Sequence, residues 1–207
     1  MGGEKTMTIK DAKLNFVVET ATELFIKNSI SGVTVKDIAK ECGLGEATVY
    51  RYFSGKNELI IACALKLQQK VEKIFASADN EKITGYEKIS RFFYTYRDIF
   101  IKKPEMYRFL SEFDAHLIGE NENLDEYADN MDRFKDFFMA AYLEGLKDNT
   151  VREIDDIETF YYSATHSVLS LCKKLSAQGS ILRQDTLTDK AKEISVLTDT
   201  LLYYLKK

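Results

Sequence analysis

The chain has no tryptophan, a single proline (Pro104), ten glycines and two histidines among 207 residues. So little proline and glycine leaves long stretches without a helix breaker, and with abundant Leu, Lys, Glu and Ala this predicts an all-α fold. The three cysteines, Cys42, Cys63 and Cys172, are odd in number and far apart. They exclude a disulfide framework and read as reduced, mostly buried thiols in a cytosolic protein. No run approaches the roughly 18 apolar residues of a membrane span. Residues 1–13 are polar, with none of the apolar stretch of a secretory signal, so a cytoplasmic location is expected. Gly2 and Thr6 formally fit a myristoylation spacing, which is read as chance.

Catalytic patterns are also scarce. There is no GxGxxG, no P-loop, no HExxH and no CxxC. His166 and Cys172 lie six residues apart on one predicted helix, so they point to different faces and cannot pair as base and nucleophile. Glu112, His116 and Glu120 follow an i, i+4, i+8 spacing that could support Zn²⁺, but a solvated polar face is the commoner use of such a row. No catalytic residue, metal or cofactor is assigned, and the chain does not read as an enzyme.

What is present is concentrated in residues 34–56, TVKDIAKECGLGEATVYRYFSGK. Ile38, Cys42, Leu44 and Val49 recur where two crossing helices would bury side chains. Ala39 is small where they would cross closely, and Gly43 suits a sharp turn because glycine adopts positive φ without steric cost. Thr34 followed by Asp37 makes a capping-box-like start. Together these features describe a helix-turn-helix, whose second helix presents its first residues to base edges. Thr48, Tyr50, Arg51, Tyr52 and Lys56 then offer hydroxyl and cationic donors of the kind that contact phosphates. Ser54 is expected to cap the following helix, placing Lys56 in its first turn.

The segment GLGEATVYRYFSGKNEL resembles the end of the DNA-binding domain of the TetR family of bacterial transcriptional regulators. The matching residues are Ala47, Thr48, Val49, Tyr50, Phe53, Lys56 and Leu59, with Ala21, Leu24, Phe25, Gly32, Thr34, Ile38 and Ala39 upstream at the family's spacing. The resemblance covers about residues 10–60. It implies an N-terminal three-helix DNA-binding domain, residues 1–54, and a C-terminal helical bundle for ligand binding and dimerisation, residues 55–207. Thr34, Lys36, Glu46, Ala47, Thr48, Tyr50, Arg51, Tyr52 and Lys56 are the candidate DNA contacts. Glu46 departs from the family pattern: an acid near the start of the recognition helix either accepts from a cytosine amino group or points to solvent.

The net charge of −4 is unusual for a nucleic-acid binder. Residues 1–58 hold eight Lys/Arg against eight Asp/Glu, so the remainder carries the deficit. Lys10, Lys13, Lys36, Arg51 and Lys56 would therefore have to cluster on one face. Caps and periodicity predict helices over about 8–28, 34–41, 45–52 and 55–77. Further helices are expected from Thr84 to about 101, from Pro104 to 117, from Asn123 to 147, from Asp155 to 177 and from Thr188 to 206.

Residues 86–142 hold fourteen of the 25 Phe and Tyr. Phe92, Phe93, Tyr96 and Phe100 share one helix face; Met131, Phe134, Phe138 and Tyr142 share another. Such stripes are usually core, but ring-lined helices can also enclose a ligand. Phe93, Tyr96, Tyr107, Phe138 and Tyr142 are the candidate ligand residues. Acids among the rings (Asp98, Glu112, Asp114, Glu144) leave room for a cationic aromatic compound; an acyl or other apolar effector is equally open. Tyr162, His166, Leu169, Leu197 and Leu201 are the candidate dimer contacts. The expected protein is a homodimeric repressor on near-palindromic double-stranded DNA, released by a small molecule. Two alternatives stay open: a helical ligand-binding or enzyme-like protein with a vestigial helix-turn-helix, and an effector-independent DNA binder or activator.

Overall fold

The structure is a computed structural model that describes residues 8–77, 82–120, 122–177 and 183–207; Gly2 and Thr6 lie outside them. The described residues form nine α-helices: α1 Ile9–Asn28, α2 Val35–Glu41, α3 Glu46–Tyr50, α4 Lys56–Ser77, α5 Gly85–Lys102, α6 Pro104–Leu117, α7 Asp125–Lys147, α8 Ile157–Ser176 and α9 Lys190–Leu205. A 3₁₀ turn spans Arg183–Thr186, and an isolated antiparallel bridge pairs Val151 with Lys206.

Local chemistry sets most of the boundaries. Thr8, Thr34 and Thr84 each form a reciprocal capping box with the acid three residues on, Asp11, Asp37 and Glu87. The carboxylates of Asp37 and Glu87 are held below their ordinary range by these bonds from threonine. Pro104 opens α6, where its missing N–H costs nothing. Three starts differ from expectation. Asn123 does not cap α7; Leu124 is the cap residue, and the Asn123 amide oxygen accepts from Asp125 N at 2.8 Å. Asp156 rather than Asp155 caps α8, and Asp189 rather than Thr188 caps α9. At the start of α4 the backbone N–H of Ser54 donates to the Glu58 carboxylate at 2.6 Å. The recognition helix also stops at Tyr50 rather than near 52.

Two hydrophobic cores result. The first is mainly aliphatic and joins α1–α4 to the outer side of α6, with Val17, Ile38, Val49, Leu59, Phe109 and Phe113 among its members. The second is aromatic and joins α5, α7, α8 and α9 around Phe92, Phe93, Phe138 and Tyr161. Helix α4 belongs to both: Leu59 and Leu67 lie in the first, Phe75 in the second. Val71, Ile99 and Leu110 pack against both and mark the seam. At the far end of the second core α5 and α7 touch backbone to backbone. A Cβ on Gly85 would fall 2.0 Å from Gly145 N, and one on Gly145 would fall 2.7 Å from Val151.

Candidate DNA interface and effector cavity

The two short helices α2 and α3 are held by Ile38, Ala39 and Val49, all fully buried, with Cys42 and Leu44 half-buried against them. Gly43 sits at φ 65° in the turn, the conformation its lack of a side chain permits. Burying Val49 turns the other side of α3 outward: Glu46, Ala47, Tyr50 and Arg51 are exposed, while Thr48 and Tyr52 are half-buried. Glu46 is the first helical residue and faces solvent. Arg51 lies over the Tyr52 ring at 5.6 Å, and the two share an open groove with Ile9, Lys10 and Lys13 at the start of α1. Three cations and a tyrosine hydroxyl thus meet beside the recognition helix, with Lys36 exposed in the first turn of α2. Of the five cations expected on one face, Lys10, Lys13 and Arg51 share this groove.

Two of the candidate DNA contacts are used differently. Thr34 commits both its N–H and its hydroxyl to Asp37, at 2.9 and 2.6 Å, so it shapes the start of α2. Lys56 points inward. Its ammonium donates to the Ile30 carbonyl at 2.6 Å and lies 5.9 Å over the Phe25 ring, and burial lowers its pKa from the ordinary lysine value. The N–H of the same residue, Ile30, donates to the Glu112 carboxylate on α6 at 2.5 Å. The α1–α2 loop is therefore gripped on both sides of one residue, by α4 and by α6. Arg108 donates to the Ile26 carbonyl at 2.6 Å, and His116 bonds to Asn57 at the start of α4 at 2.9 Å. Arg108, Glu112 and His116, four residues apart, form one stripe down α6 that holds α1, the loop and α4. The Glu112–His116–Glu120 row does not converge: Glu112 is occupied by Ile30, Glu120 lies past the end of α6, and no metal-ligating cluster occurs among the described residues.

The opposite face of α6 borders a cavity of about 90 Å³ at the seam of the two cores. Its walls come from α4 (Val71, Phe75), α5 (Tyr96, Ile99), α6 (Tyr107, Leu110), α7 (Tyr127, Met131) and α8 (Leu169, Lys173). Of the five candidate ligand residues, Tyr96 and Tyr107 line it. Phe93, Phe138 and Tyr142 do not. Phe93 and Phe138 are fully buried in a ring lattice, 5.9 Å from each other, with Phe138 5.2 Å from Tyr161. The Tyr142 hydroxyl accepts from Ile154 N at 2.8 Å and closes the α7–α8 link. Helical periodicity shows which rings face inward but not which of them border a void. Gln68, Tyr127, Leu169 and Lys173 were not identifiable as wall residues, because they meet only through the crossing of three helices, α4, α7 and α8. The Tyr107 hydroxyl donates to the Tyr96 carbonyl at 2.8 Å; burial raises both phenols well above their ordinary range and pushes the neighbouring Cys172 thiol up to about 12.

The four acids Asp98, Glu112, Asp114 and Glu144 all have partners. Asp98 pairs with Arg97 at 2.8 Å, Glu144 with Lys88 at 2.8 Å, Glu112 with Ile30, and Asp114 with Lys173 at the cavity rim. Among the candidate dimer residues, Tyr162 and His166 are exposed on α8 with rings 5.9 Å apart, and Leu197 and Leu201 are half-buried on α9. Leu169 instead turns toward the cavity. Beside them α9 exposes Val196 and Tyr203, the latter 80% accessible. No helix among the described residues is long and apolar enough to cross a membrane.

Comparison with known proteins bears on both ends of the molecule. The family model for bacterial regulatory proteins of the tetR family matches residues 17–63, which run from α1 into α4. The HTH-type transcriptional regulator YerO of Bacillus subtilis is 22% identical over 167 residues, 75% of this chain and 54% of its own length. YuxN of the same organism, also an HTH-type transcriptional regulator, is 32% identical over 73 residues, 35% of this chain and 24% of its own length. The match thus spans about half of the first relative and about a quarter of the second. Among solved structures, a transcriptional regulator of Saccharomonospora viridis in complex with choline superposes with TM-score 0.74 at 17% identity, covering 96% of this chain and 99% of that one. At that identity the likeness speaks for the fold. Residues 17–63, with the buried register of α2 and α3, thus match the N-terminal domain of bacterial regulatory proteins of the tetR family, and the described helices share the fold of such a transcriptional regulator.

Proposed function

We propose that this chain is a cytoplasmic transcriptional regulator that binds a near-palindromic DNA site as a homodimer and is released from it by a small molecule. The observation that carries this reading is the position of α6. One face holds the α1–α2 loop through Glu112 and the end of α1 through Arg108, and the other walls the cavity. A compound in the cavity must move α6, and α6 cannot move without disturbing the loop that leads into α2. Repression follows from the resting state, in which the cavity is small and the helix-turn-helix is fully supported.

A single recognition helix of five residues makes too few contacts for tight specific binding, so two must act together. The exposed apolar positions of α8 and α9, Tyr162, Val196 and Tyr203, supply the second copy's seat, giving a four-helix arrangement between protomers. The Saccharomonospora viridis regulator holds choline, which supports small-molecule binding for this fold. Its cationic ligand does not transfer to a cavity whose one charged wall residue is a lysine.

Selection of bound duplexes from a random-sequence pool tests the DNA reading. Enrichment of an inverted repeat is the expected result. Recovery without any shared sequence, or no recovery, would overturn it.

A further inference from the structure

Among the described residues the cavity wall is almost entirely apolar and aromatic, and its one charged member is Lys173 in the last turn of α8. The lysine side chain is mostly buried, and its partner Asp114 reaches it from α6 while remaining about half exposed, at 52%. No acid lines the void among the described residues: Asp98, Glu112 and Glu144 are each engaged elsewhere. A cation entering here would meet a cation and find no free carboxylate. A carboxylate would find a partly desolvated ammonium whose present partner can turn out into water.

Resting on the cavity reading above, we propose that the effector is an apolar monocarboxylate with a slender, flexible body, whose carboxylate replaces that of Asp114 on Lys173. The exchange is charge-neutral at Lys173, because one carboxylate takes the place of another. It costs little at Asp114, which already faces solvent. The apolar body occupies the seam beneath Leu110 and Tyr107. At about 90 Å³ the void is smaller than the engineered cavity of roughly 150 Å³ that admits benzene. A chain that threads between helices therefore displaces them less than a fused ring system would. Met131, 37% exposed at the rim, is the adaptable side chain at the entrance.

The exchange also has a mechanical result. Asp114–Lys173 ties α6 to α8. Its loss frees α6 on the cavity side while Glu112 still holds the α1–α2 loop, and Arg108 the end of α1, on the other. A carboxylate thus both fills the void and unties α6, whereas a neutral molecule of the same length only fills it. The head group, not the bulk, sets the strength of induction.

The test compares decanoate, decan-1-ol and decylammonium by calorimetry on the full chain, then by release of a duplex selected from the random pool. Decanoate is expected to bind about tenfold more tightly than the alcohol, as for one added charge-assisted bond, and to release DNA more fully at equal occupancy. K173M should weaken decanoate about tenfold more than it weakens the alcohol, K173R should restore the preference, and D114N should tighten decanoate by removing its competitor. Thermal melting of each variant confirms folding. Decylammonium binding best, or an unchanged head-group preference in K173M, would overturn the proposal while leaving the cavity as an effector site. Binding by none of the three compounds would overturn both.

Discussion

The two cores of this molecule are built from different materials. The first relies on aliphatic side chains and alanine, and it fixes helices of seven and five residues that could not hold their shape alone. The second stacks rings edge to face, among them Phe75 on Phe134 at 5.3 Å and Phe92 on Phe138 at 5.7 Å. Small aliphatic groups fill space evenly around a surface that must stay rigid. Large planar groups leave gaps wherever their lattice ends, and the cavity lies where it ends, against α4 and α6. The void therefore lies at the boundary between the two kinds of packing.

Breaking the ring lattice should have the largest effect on stability. Phe138→Ala removes a fully buried ring and should cost about 3–5 kcal/mol, lowering the melting temperature by roughly 2–4 °C per kcal/mol for a chain of this size. Met131→Ala, at the rim of the void, should cost about 1 kcal/mol or less. Equal losses in calorimetric melting would erase the distinction between lattice and cavity. Filling the void should act on function more than on stability: Leu169→Phe is expected to keep DNA affinity and to abolish its response to effectors.

The next effect concerns the pair of recognition helices. Val196→Glu with Tyr203→Glu should yield folded monomers with weakened affinity for the selected duplex. Sedimentation of the wild type as a stable monomer at micromolar concentration would remove the basis for this. Within the DNA face, Arg51→Ala and Tyr52→Phe should weaken binding to all sequences alike, and Arg51→Ala should reduce the salt slope by about one per half-site. Changes at Ala47, Thr48 or Glu46 should shift sequence preference by about 1–3 kcal/mol per base contact.

Lys56→Met sharpens the comparison from the side of the first core. As an inward-facing group, Lys56 should matter to stability, at about 1–2 kcal/mol after allowing for its partial exposure. A variant with unchanged melting but reduced DNA affinity would return Lys56 to the phosphates. The smallest effect is in acid. Asp37 and Asp148 have depressed carboxyl pKa values because threonine and backbone groups donate to their charged forms. Their contribution is complete above the ordinary carboxylate range near 4 and is lost as pH falls through the lower folded values. The stability gap between wild type and Asp37→Asn should therefore narrow below about pH 4, as chemical denaturation at stepped pH will show.

The parts legible in the sequence are those decided within a few residues. Thr34 with Asp37 and Thr84 with Glu87 formed the expected boxes, and the buried register of Ile38, Ala39 and Val49 was sufficient to place the helix-turn-helix. Where two capping residues adjoin, as at Asp155 and Asp156 or Thr188 and Asp189, local chemistry favours both and the path of the entering chain selects one. Lys56 was recognisable as a motif residue, but its direction depends on a carbonyl 26 residues away. The void was the least legible feature, since Phe93 and Tyr96 occupy the same stripe and only packing decides which ring borders empty space.

The contact of Gly85 with Gly145 makes α5 and α7 a pair of blades pinned at one end. From that pin to Ile99 at the cavity is about 21 Å along α5, at 1.5 Å per residue. A pivot of only 5° there, small for packed helices, opens the distant jaw by about 2 Å. The pinned end hardly moves, and with it the Val151–Lys206 bridge that fastens the end of α9. An opening of the seam by this pivot leaves the end of α9 in place.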